Sequence, residues 1–189
     1  MHIIDSKKIA EFSKIYRLNL INSVTGYKPA NLIGTRSRGG ISNLAIFSSV
    51  VHLGSKPPLI GIVTRPNTVP RDTYKNIIDN KSYTINHISK VMVERAHYTS
   101  AKFGDDESEF DFCNFEEEYI VDFEAPFVKE SQIKIGMKLV EEKNIETNNT
   151  ILIIGEIQKI IIDEKFIDEE GSLDYHNLSS VCISGLDTY

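Results

Sequence analysis

The sequence has little cysteine and no long apolar run, and each of these absences excludes a class of protein. Its 189 residues contain two cysteines, Cys113 and Cys182, which form no CxxC pair. A disulfide-stapled scaffold is therefore excluded, and we expect a reducing, cytoplasmic compartment. No apolar stretch reaches the roughly 18 residues that a membrane span requires. The first residues lack the basic and apolar segments of a signal peptide, so we predict no membrane partner.

Catalytic motifs that can be recognised in a sequence are also missing. The five histidines never occur at HxH or HExxH spacing, so we predict no metal site. Without a GxSxG elbow the α/β-hydrolase triad has no anchor. Without GxGxxG or GxxxxGK[ST] there is no Rossmann or P-loop phosphate cradle. If the protein is an enzyme, it therefore uses the reactive group of a cofactor, or catalytic residues that the sequence alone does not reveal.

Charge is distributed unevenly along the chain. The formal net charge is -6, but residues 1–102 sum to +10 and residues 103–189 to -16. Two interpretations stay open: the basic part binds an anionic ligand such as a phosphate or nucleotide, or the two parts pack together and neutralise each other. Nucleic acid is not predicted, because the basic residues are scattered and the whole chain is acidic.

The hydrophobic pattern predicts a mainly β (α+β) protein. It predicts a helix over 6–16, a strand over 18–24, and a hairpin over 31–47 that turns at Arg38-Gly39-Gly40. Further strands are predicted over 59–63, 83–88, 132–139 and 150–162, with short helices from Asp72 to Asp79 and from Ser89 to His97. Six or more strands with hairpin connections favour a closed antiparallel barrel with peripheral helices.

Three later segments support more specific predictions. Residues 132–139 alternate between apolar and polar, which is typical of an edge or one-sided strand. Gly155, in the middle of the apolar run 150–162, predicts a bulge or a bend. Residues 103–124 contain ten acidic residues and no basic one. We interpret this segment as a solvated loop whose phenylalanines are anchored in the core or in a dimer interface.

Two segments of the basic part combine residue types that suit a flat, anionic ligand. Residues 43–49 (NLAIFSS) join an amide, a small alanine and paired hydroxyls, where a ring can approach the backbone. Residues 65–73 place Arg65, Arg71 and Thr73 beside the start of a short helix, whose free N–H groups favour phosphate. Each segment also has an ordinary interpretation, as a serine-rich strand end and as a capped surface helix.

The run GTRSRGGISNLAIFSSVVHLGSKPPLIGIVTRP, followed by RDTYKNI and YTINHI, resembles the flavin reductase-like family with the FMN-binding split-barrel fold. The segments HYTSA, at 97–101, and SEF, at 108–110, resemble the part of the family that follows its central helix. The similarity is strong over about residues 18–112 and thin from 125 onward. Family members usually continue past a segment like residues 185–189, so a final strand or dimer-clasping tail is expected to be absent.

The resemblance implies a single FMN-binding split-barrel domain over residues 1–189. It implies a homodimer with one FMN per subunit, bound without a covalent bond near the dimer interface. The implied FMN-binding positions are Asn43, Leu44, Ala45, Ile46, Phe47, Ser48 and Ser49 at the ring and ribityl chain, Arg65, Arg71 and Thr73 at the phosphate, and His97 and Ser100 from a neighbouring helix end.

Three functions remain open on this basis. In the first, an FMN-dependent oxidoreductase takes hydride from NADH or NADPH and passes it through bound FMN to a flavin, a metal complex or a protein. In the second, an FMN-binding electron carrier works without nicotinamide activity. In the third, the same barrel binds haem or another flat cofactor.

Overall fold

The computed structural model describes residues 1–66, 68–104 and 106–189. Asn67, in the predicted phosphate loop, and Asp105, in the predicted acidic loop, lie outside the described residues. The helices are α1 (Ser6–Glu11), α2 (Lys14–Val24), α3 (Asp72–Asn80), α4 (Val93–Tyr98) and α5 (Glu109–Phe112). The strands are β1 (Lys28–Pro29), β2 (Asn31–Arg36), β3 (Ser42–Phe47), β4 (Val50–Ser55), β5 (Pro58–Thr64), β6 (Ser82–His87), β7 (Glu117–Ile120), β8 (Phe123–Val128), β9 (Lys134–Ile145), β10 (Thr150–Ile161) and β11 (Cys182–Ile183).

Seven of the described strands form one antiparallel sheet in the order β3-β2-β6-β9-β10-β5-β4. Ile33 of β2 and Ile62 of β5 belong to one apolar cluster although three strands separate them, so the sheet curves around its core. Within the described chain no ladder joins the edge strands β3 and β4. The sheet is therefore open, and the prediction of a closed barrel was wrong.

The physical reason for the open sheet lies at the two residues between β3 and β4. The Ser49 hydroxyl donates to the backbone carbonyl of Val63 on β5 at 2.6 Å, and the Val63 N–H donates to the Ser49 carbonyl at 3.3 Å. These bonds direct the chain along β5 instead of back along β3. The two strands consequently become opposite edges of the sheet.

The core divides into two clusters because successive side chains of a strand point to opposite faces. The first cluster packs strands β2 and β3 against helices α4 and α5, and consists of Ala30, Leu32, Leu44, Ile88, Met92, Ala96, Phe110, Cys113, Phe115, Val128 and Ile183. The second cluster lines the concave face of the sheet beside α3, and consists of Ile33, Ile62, Ile77, Tyr83, Ile85, Met137 and Ile153.

The segment predicted as a strand over 18–24 is helical. The predicted helix over 6–16 is interrupted near Ser13, whose hydroxyl accepts the Tyr16 N–H at 3.4 Å and caps α2. A capped start of this kind favours continued helix. None of the α2 residues is buried, so no sheet neighbour selects an extended conformation for its apolar side chains.

Strand β9 is central in the sheet, so the first predicted alternative for residues 132–139, an edge strand, was wrong, and the second, a one-sided strand, holds only at the exposed Gln132 and Lys138. It pairs with β6 on one side and β10 on the other. Lys134 and Gly136, expected on a solvated face, are both buried under the β7–β8 hairpin. Lys134 pairs there with Glu118, and the Phe123 ring packs over Gly136. The prediction of a solvated loop over residues 103–124 is therefore wrong in part. The end of this segment forms the β7–β8 hairpin, which covers the face of β9 that was expected to be solvated.

Two turn and bulge predictions are confirmed. The β2–β3 hairpin closes where the Ser37 N–H donates to the Ile41 carbonyl at 2.8 Å, with Gly40 at a φ of +89°. The β9–β10 register shifts between Ile154 and Gly155. A Cβ at position 155 would overlap the Tyr83 hydroxyl, which explains why glycine is needed there.

Candidate functional site

Strand β3 has one unpaired edge. The ladder aligns every residue of β3 with one of β2, and the Leu44 N–H points away from β2, to a Glu109 carboxylate oxygen at 2.9 Å. In an antiparallel ladder this orientation alternates, so we expect the N–H and carbonyl of Ile46 to face the free edge as well. Among the described residues, the backbone hydrogen bonds outside the regular ladders include none to these Ile46 groups. The end of β3 therefore presents hydrogen-bonding backbone to an external partner.

Helix α3 begins without a side-chain cap. Arg71 occupies the N-cap position and makes no side-chain capping bond, while the Lys75 N–H donates to the Arg71 carbonyl at 3.0 Å. The N–H groups of the first turn are left for another acceptor, and the positive end of the helix dipole favours an anion there. The ordinary interpretation of this segment, a surface helix with a side-chain cap, is therefore wrong in that the helix has no such cap.

The two predicted arginines flank this helix start. Arg65 follows β5 and is exposed, and Arg71 is half-buried, with its Nε donating to the Pro66 carbonyl at 3.4 Å. Neither guanidinium forms an ion pair with any residue that the structure describes. Their positive charges remain available to a phosphate-like group.

A buried hydrogen-bond network connects β3 to α3. The Asn43 side-chain amide donates to the Thr73 hydroxyl at 3.0 Å and to the Thr35 hydroxyl at 3.1 Å. Asn76 donates to the same Thr35 oxygen at 3.2 Å. Asn43 and Thr73 are thus engaged with each other, and their joint effect is to hold the start of α3 against the strand edge.

The structure brings most of the predicted site residues to this one region. Ala45 and Phe47 share the β3 face of Asn43, while Leu44 and Ile46 point to the first cluster. Ser49 is tied to β5 two residues before Arg65. Asn43 to Ser49, Arg65, Arg71 and Thr73 are therefore contiguous.

His97 and Ser100 lie beside the same strand but on the face of the first cluster. Helix α4 packs there through Ala96, and both predicted residues are exposed. The His97 Nδ1 lies 3.0 Å from the Tyr189 hydroxyl, and the two rings meet edge to face. The described contacts thus join His97 to the end of the chain and not to the polar groups of β3.

Glu109 is a residue of this region that sequence analysis did not select. Its carboxylate accepts the Leu44 N–H, and burial, with the charge of Asp72 nearby, raises its pKa. Its carboxylate forms no ion pair within the described chain. In the sequence, Glu109 was marked only by its place in the segment SEF of the family resemblance. Its position beside Leu44 could not be predicted, because it depends on the tertiary contact between α5 and β3.

Two adjoining depressions have volumes of about 540 and 400 Å³; the first lies beside the β2–β3 hairpin turn, and the second extends from it toward β9 and β10. Asn80, Ser82, Phe123 and Glu124 line both of them. Neither contains a predicted site residue. The predicted site is therefore a surface along a strand edge, and not one of these depressions.

Two kinds of feature are absent from the part of the chain that the structure describes. No helix in residues 1–66, 68–104 and 106–189 has the length and apolarity to cross a membrane. Over the same ranges, no three histidine, cysteine, aspartate or glutamate side chains come together as a metal site.

The described chain is thus a mainly β protein whose curved, open antiparallel sheet presents a free strand edge beside an uncapped helix start. A family model described as "Flavin reductase like domain" matches residues 27–180. The match spans well over half of the chain, and the protein therefore belongs to the flavin reductase-like family. The resemblance found in the sequence is confirmed.

Solved structures show the same fold. A Shewanella frigidimarina protein provisionally assigned as a flavin reductase with a split barrel domain is 45% identical, with a TM-score of 0.94 over 99% of this chain and 92% of that one. The flavoredoxin of Desulfovibrio vulgaris is 25% identical, with a TM-score of 0.74 over 87% and 85% of the two chains. An uncharacterised protein of Aquifex aeolicus is 27% identical over 150 residues, which are 78% of this chain and 76% of the relative.

Proposed function

We propose that the protein is an FMN-dependent oxidoreductase of the flavin reductase type, with residues 1–189 forming one FMN-binding domain. It would take hydride from NADH or NADPH and pass reducing equivalents to a flavin, a metal complex or a protein. One observation carries the proposal: the uncapped start of α3 is bonded to the free edge of β3 through Asn43 and Thr73. A phosphate and a flat ring can be bound side by side at such a junction.

The residues at the α3 start fit the phosphate of FMN. Free N–H groups of the first turn and the guanidinium groups of Arg65 and Arg71 are all donors, and a phosphate carries only acceptors at neutral pH. The Asn43–Thr73 bond fixes the helix start relative to β3. In the proposed site, binding therefore requires little reorganisation of the protein.

The end of β3 fits the polar edge of the ring. Bound FMN supplies the reversible acceptance of hydride or single electrons, which no side chain of this protein provides. The backbone N–H of Ile46 is a preorganised donor at the strand edge. Such donors stabilise negative charge that develops during reduction, and so they favour the reduced state.

Arg71→Ala tests the phosphate placement. We expect FMN affinity to fall by about ten- to a hundredfold, since a hydrogen bond to a charged group contributes about 1.5–3 kcal/mol. Riboflavin, which has no phosphate, should bind as before. Lys75→Ala is the matched control, because it removes an exposed cation one turn further along α3. If the wild-type apoprotein binds riboflavin as tightly as FMN in a fluorescence titration, the placement is wrong.

Anaerobic mixing of the holoprotein with NADH and NADPH tests the reaction. Rapid bleaching of the flavin absorbance is expected from an enzyme that accepts hydride from a nicotinamide. A flavin spectrum that stays oxidised would contradict this activity and favour the electron carrier. A Soret band in place of flavin bands would contradict both and favour a haem-binding module.

We further propose that the protein is a homodimer that uses the outer face of β4, β5 and β10. Val51 and Leu53 are 46% and 43% exposed, and with Leu152 they surround the bare backbone of Gly61. Ser49 and Arg65 terminate the same strands, so a second copy on this face would lie beside the proposed site. A stable interface needs at least about 1,000 Å² of total buried area.

The acidic segment, whose phenylalanines prompted the prediction of a dimer, buries only some of these rings in its own chain and leaves Phe112 55% exposed. Phe110 and Phe115 are buried within the first cluster of their own chain. Leu53→Glu is the informative variant, with Val140→Glu on β9 as an exposed control. Light scattering should give about twice 21.4 kDa for the wild type and for Val140→Glu, and the monomer mass for Leu53→Glu. A wild-type monomer would overturn the proposal.

A further inference from the structure

We propose that Glu109 binds the ribityl chain of the flavin by accepting hydrogen bonds from its hydroxyl groups, between the phosphate end and the ring end of the site. The inference rests on the proposed function, because it takes FMN as the ligand. It assigns a role in flavin specificity to a half-buried carboxylate.

The position of Glu109 follows from the order of contacts along β3. Asn43 is bonded to Thr73 at the phosphate end, at 3.0 Å. The next residue, Leu44, donates its N–H to Glu109 at 2.9 Å. The free N–H of Ile46 follows two residues further, roughly 7 Å along the strand. The carboxylate thus lies between the two ends of the site, where the ribityl chain of FMN joins phosphate to ring.

The bonding capacity of the carboxylate exceeds what the protein uses. A carboxylate has about four acceptor positions, and the described residues give the Glu109 carboxylate one hydrogen bond, from the Leu44 N–H. No cation of the described chain pairs with it. Half-burying a charge without a partner is costly, and one strand N–H could be accepted by a neutral side chain. The spare capacity points to donors that arrive with a ligand.

The chemistry of FMN decides which of its groups supplies those donors. The phosphate carries negative charge and would be repelled by the carboxylate, so it belongs at the arginines and the α3 start. The ribityl hydroxyls are neutral donors of suitable geometry. Asp72, in the first turn of α3, lies near enough for its charge to contribute to the raised pKa of Glu109.

Three flavins distinguish this role from a structural one. FMN carries ribityl and phosphate, riboflavin carries ribityl alone, and lumiflavin has a methyl group in place of the ribityl chain. Glu109→Ala should weaken both FMN and riboflavin by about tenfold or more and leave lumiflavin unchanged, because hydrogen bonds to a charged acceptor are lost. Glu109→Gln, which retains a neutral acceptor, should weaken the first two by roughly threefold to tenfold.

Asp111→Ala is the matched control, since it removes an exposed carboxylate from the same helix; it should change none of the three affinities. The ratio of riboflavin to lumiflavin affinity within one variant is insensitive to partial unfolding. If circular dichroism shows that Glu109→Ala is unfolded, the ratio for Glu109→Gln decides. Equal weakening of riboflavin and lumiflavin, or no weakening of riboflavin, overturns the role of Glu109 alone. Failure of the wild type to bind any flavin overturns the proposed function as well.

Discussion

The basic part of the chain, residues 1–102, and the acidic part, residues 103–189, differ in which of their charged side chains form ion pairs. In the acidic part, Glu116 and Glu118 pair with lysines of the same part. In the basic part, Arg65 and Arg71 have no acidic partner among the described residues. Of the eight ion pairs in the described chain, Arg95–Glu130 is the one that joins the two parts.

Packing joins the parts instead. The ladders β6–β9 and β5–β10 connect basic-part strands to acidic-part strands, and the second cluster contains residues of both. The difference shows that direct ion pairing does not neutralise the charge surplus of the basic part. The surplus at Arg65 and Arg71 supports the interpretation that this part receives an anion.

The largest expected effect comes from disturbing the packing between the parts. In Gly155→Ala the new methyl group would overlap the Tyr83 hydroxyl, and we expect a loss of about 3 kcal/mol in the free energy of unfolding, at the upper end of typical overpacking costs. Gly39→Ala is the control and should cost little, because its new methyl group would lie 3.7 Å from Ser37 Oγ, an ordinary van der Waals contact. Urea unfolding at pH 7 measures both.

A second substitution separates the overlap from other effects of Gly155→Ala. Tyr83 Oη is buried and has no hydrogen-bond partner among the described residues, so Tyr83→Phe should cost little by itself. Combined with Gly155→Ala, it should restore part of the lost stability. Additive losses in the double variant would show that the hydroxyl is not the obstacle.

Acid tests the contact between His87, in the basic part, and Tyr175, in the acidic part. Their rings stack with centroids 6.3 Å apart, and burial lowers the pKa of His87 to about 4. Between about pH 6.5 and 4 the unfolded chain binds a proton at this position and the folded chain does not, so acidification favours unfolding. The loss should reach up to about 3 kcal/mol. Above about pH 6.5 His87 is neutral in both the folded and the unfolded chain, so this loss of stability does not occur.

The comparison with His87→Gln isolates this contribution from the many carboxylates of the acidic part. The variant should lose less stability than the wild type in urea unfolding between pH 6.5 and 4.5. His52→Gln, at an exposed position, should follow the wild type. Parallel curves for wild type and His87→Gln would refute the assignment.

The smallest effect is expected from the single ion pair between the parts. Arg95 and Glu130 lie 3.4 Å apart, with side chains about one-third exposed. Glu130→Gln should cost at most about 1 kcal/mol, and 0.5 M salt should reduce the difference from the wild type. A loss comparable to that of Gly155→Ala would show that charge, and not packing, joins the two parts.

Features set by neighbouring residues were predictable from the sequence. The glycine turn between β2 and β3, the start of α3 near Asp72 and the bulge at Gly155 each depend on local backbone preferences or on one residue type. The ordered motifs within about residues 18–112 also indicated the family. Asn43 to Phe47 could be grouped for the same reason, because they lie on one strand, with Ser48 and Ser49 directly after it.

Features that depend on distant partners were decided by the tertiary structure. Apolar residues of 18–24 became helix because nothing in the sheet receives them, and the acidic segment folded in part as a hairpin because β9 had a second face to cover. The sheet stayed open because Ser49 bonds to Val63, 14 residues away. Glu109 reached Leu44 across 65 residues. Local sequence patterns determine most of the helices, strands and turns that form. The contacts between these elements depend on burial and on the pairing of backbone groups from distant parts of the chain, which a local sequence pattern does not contain.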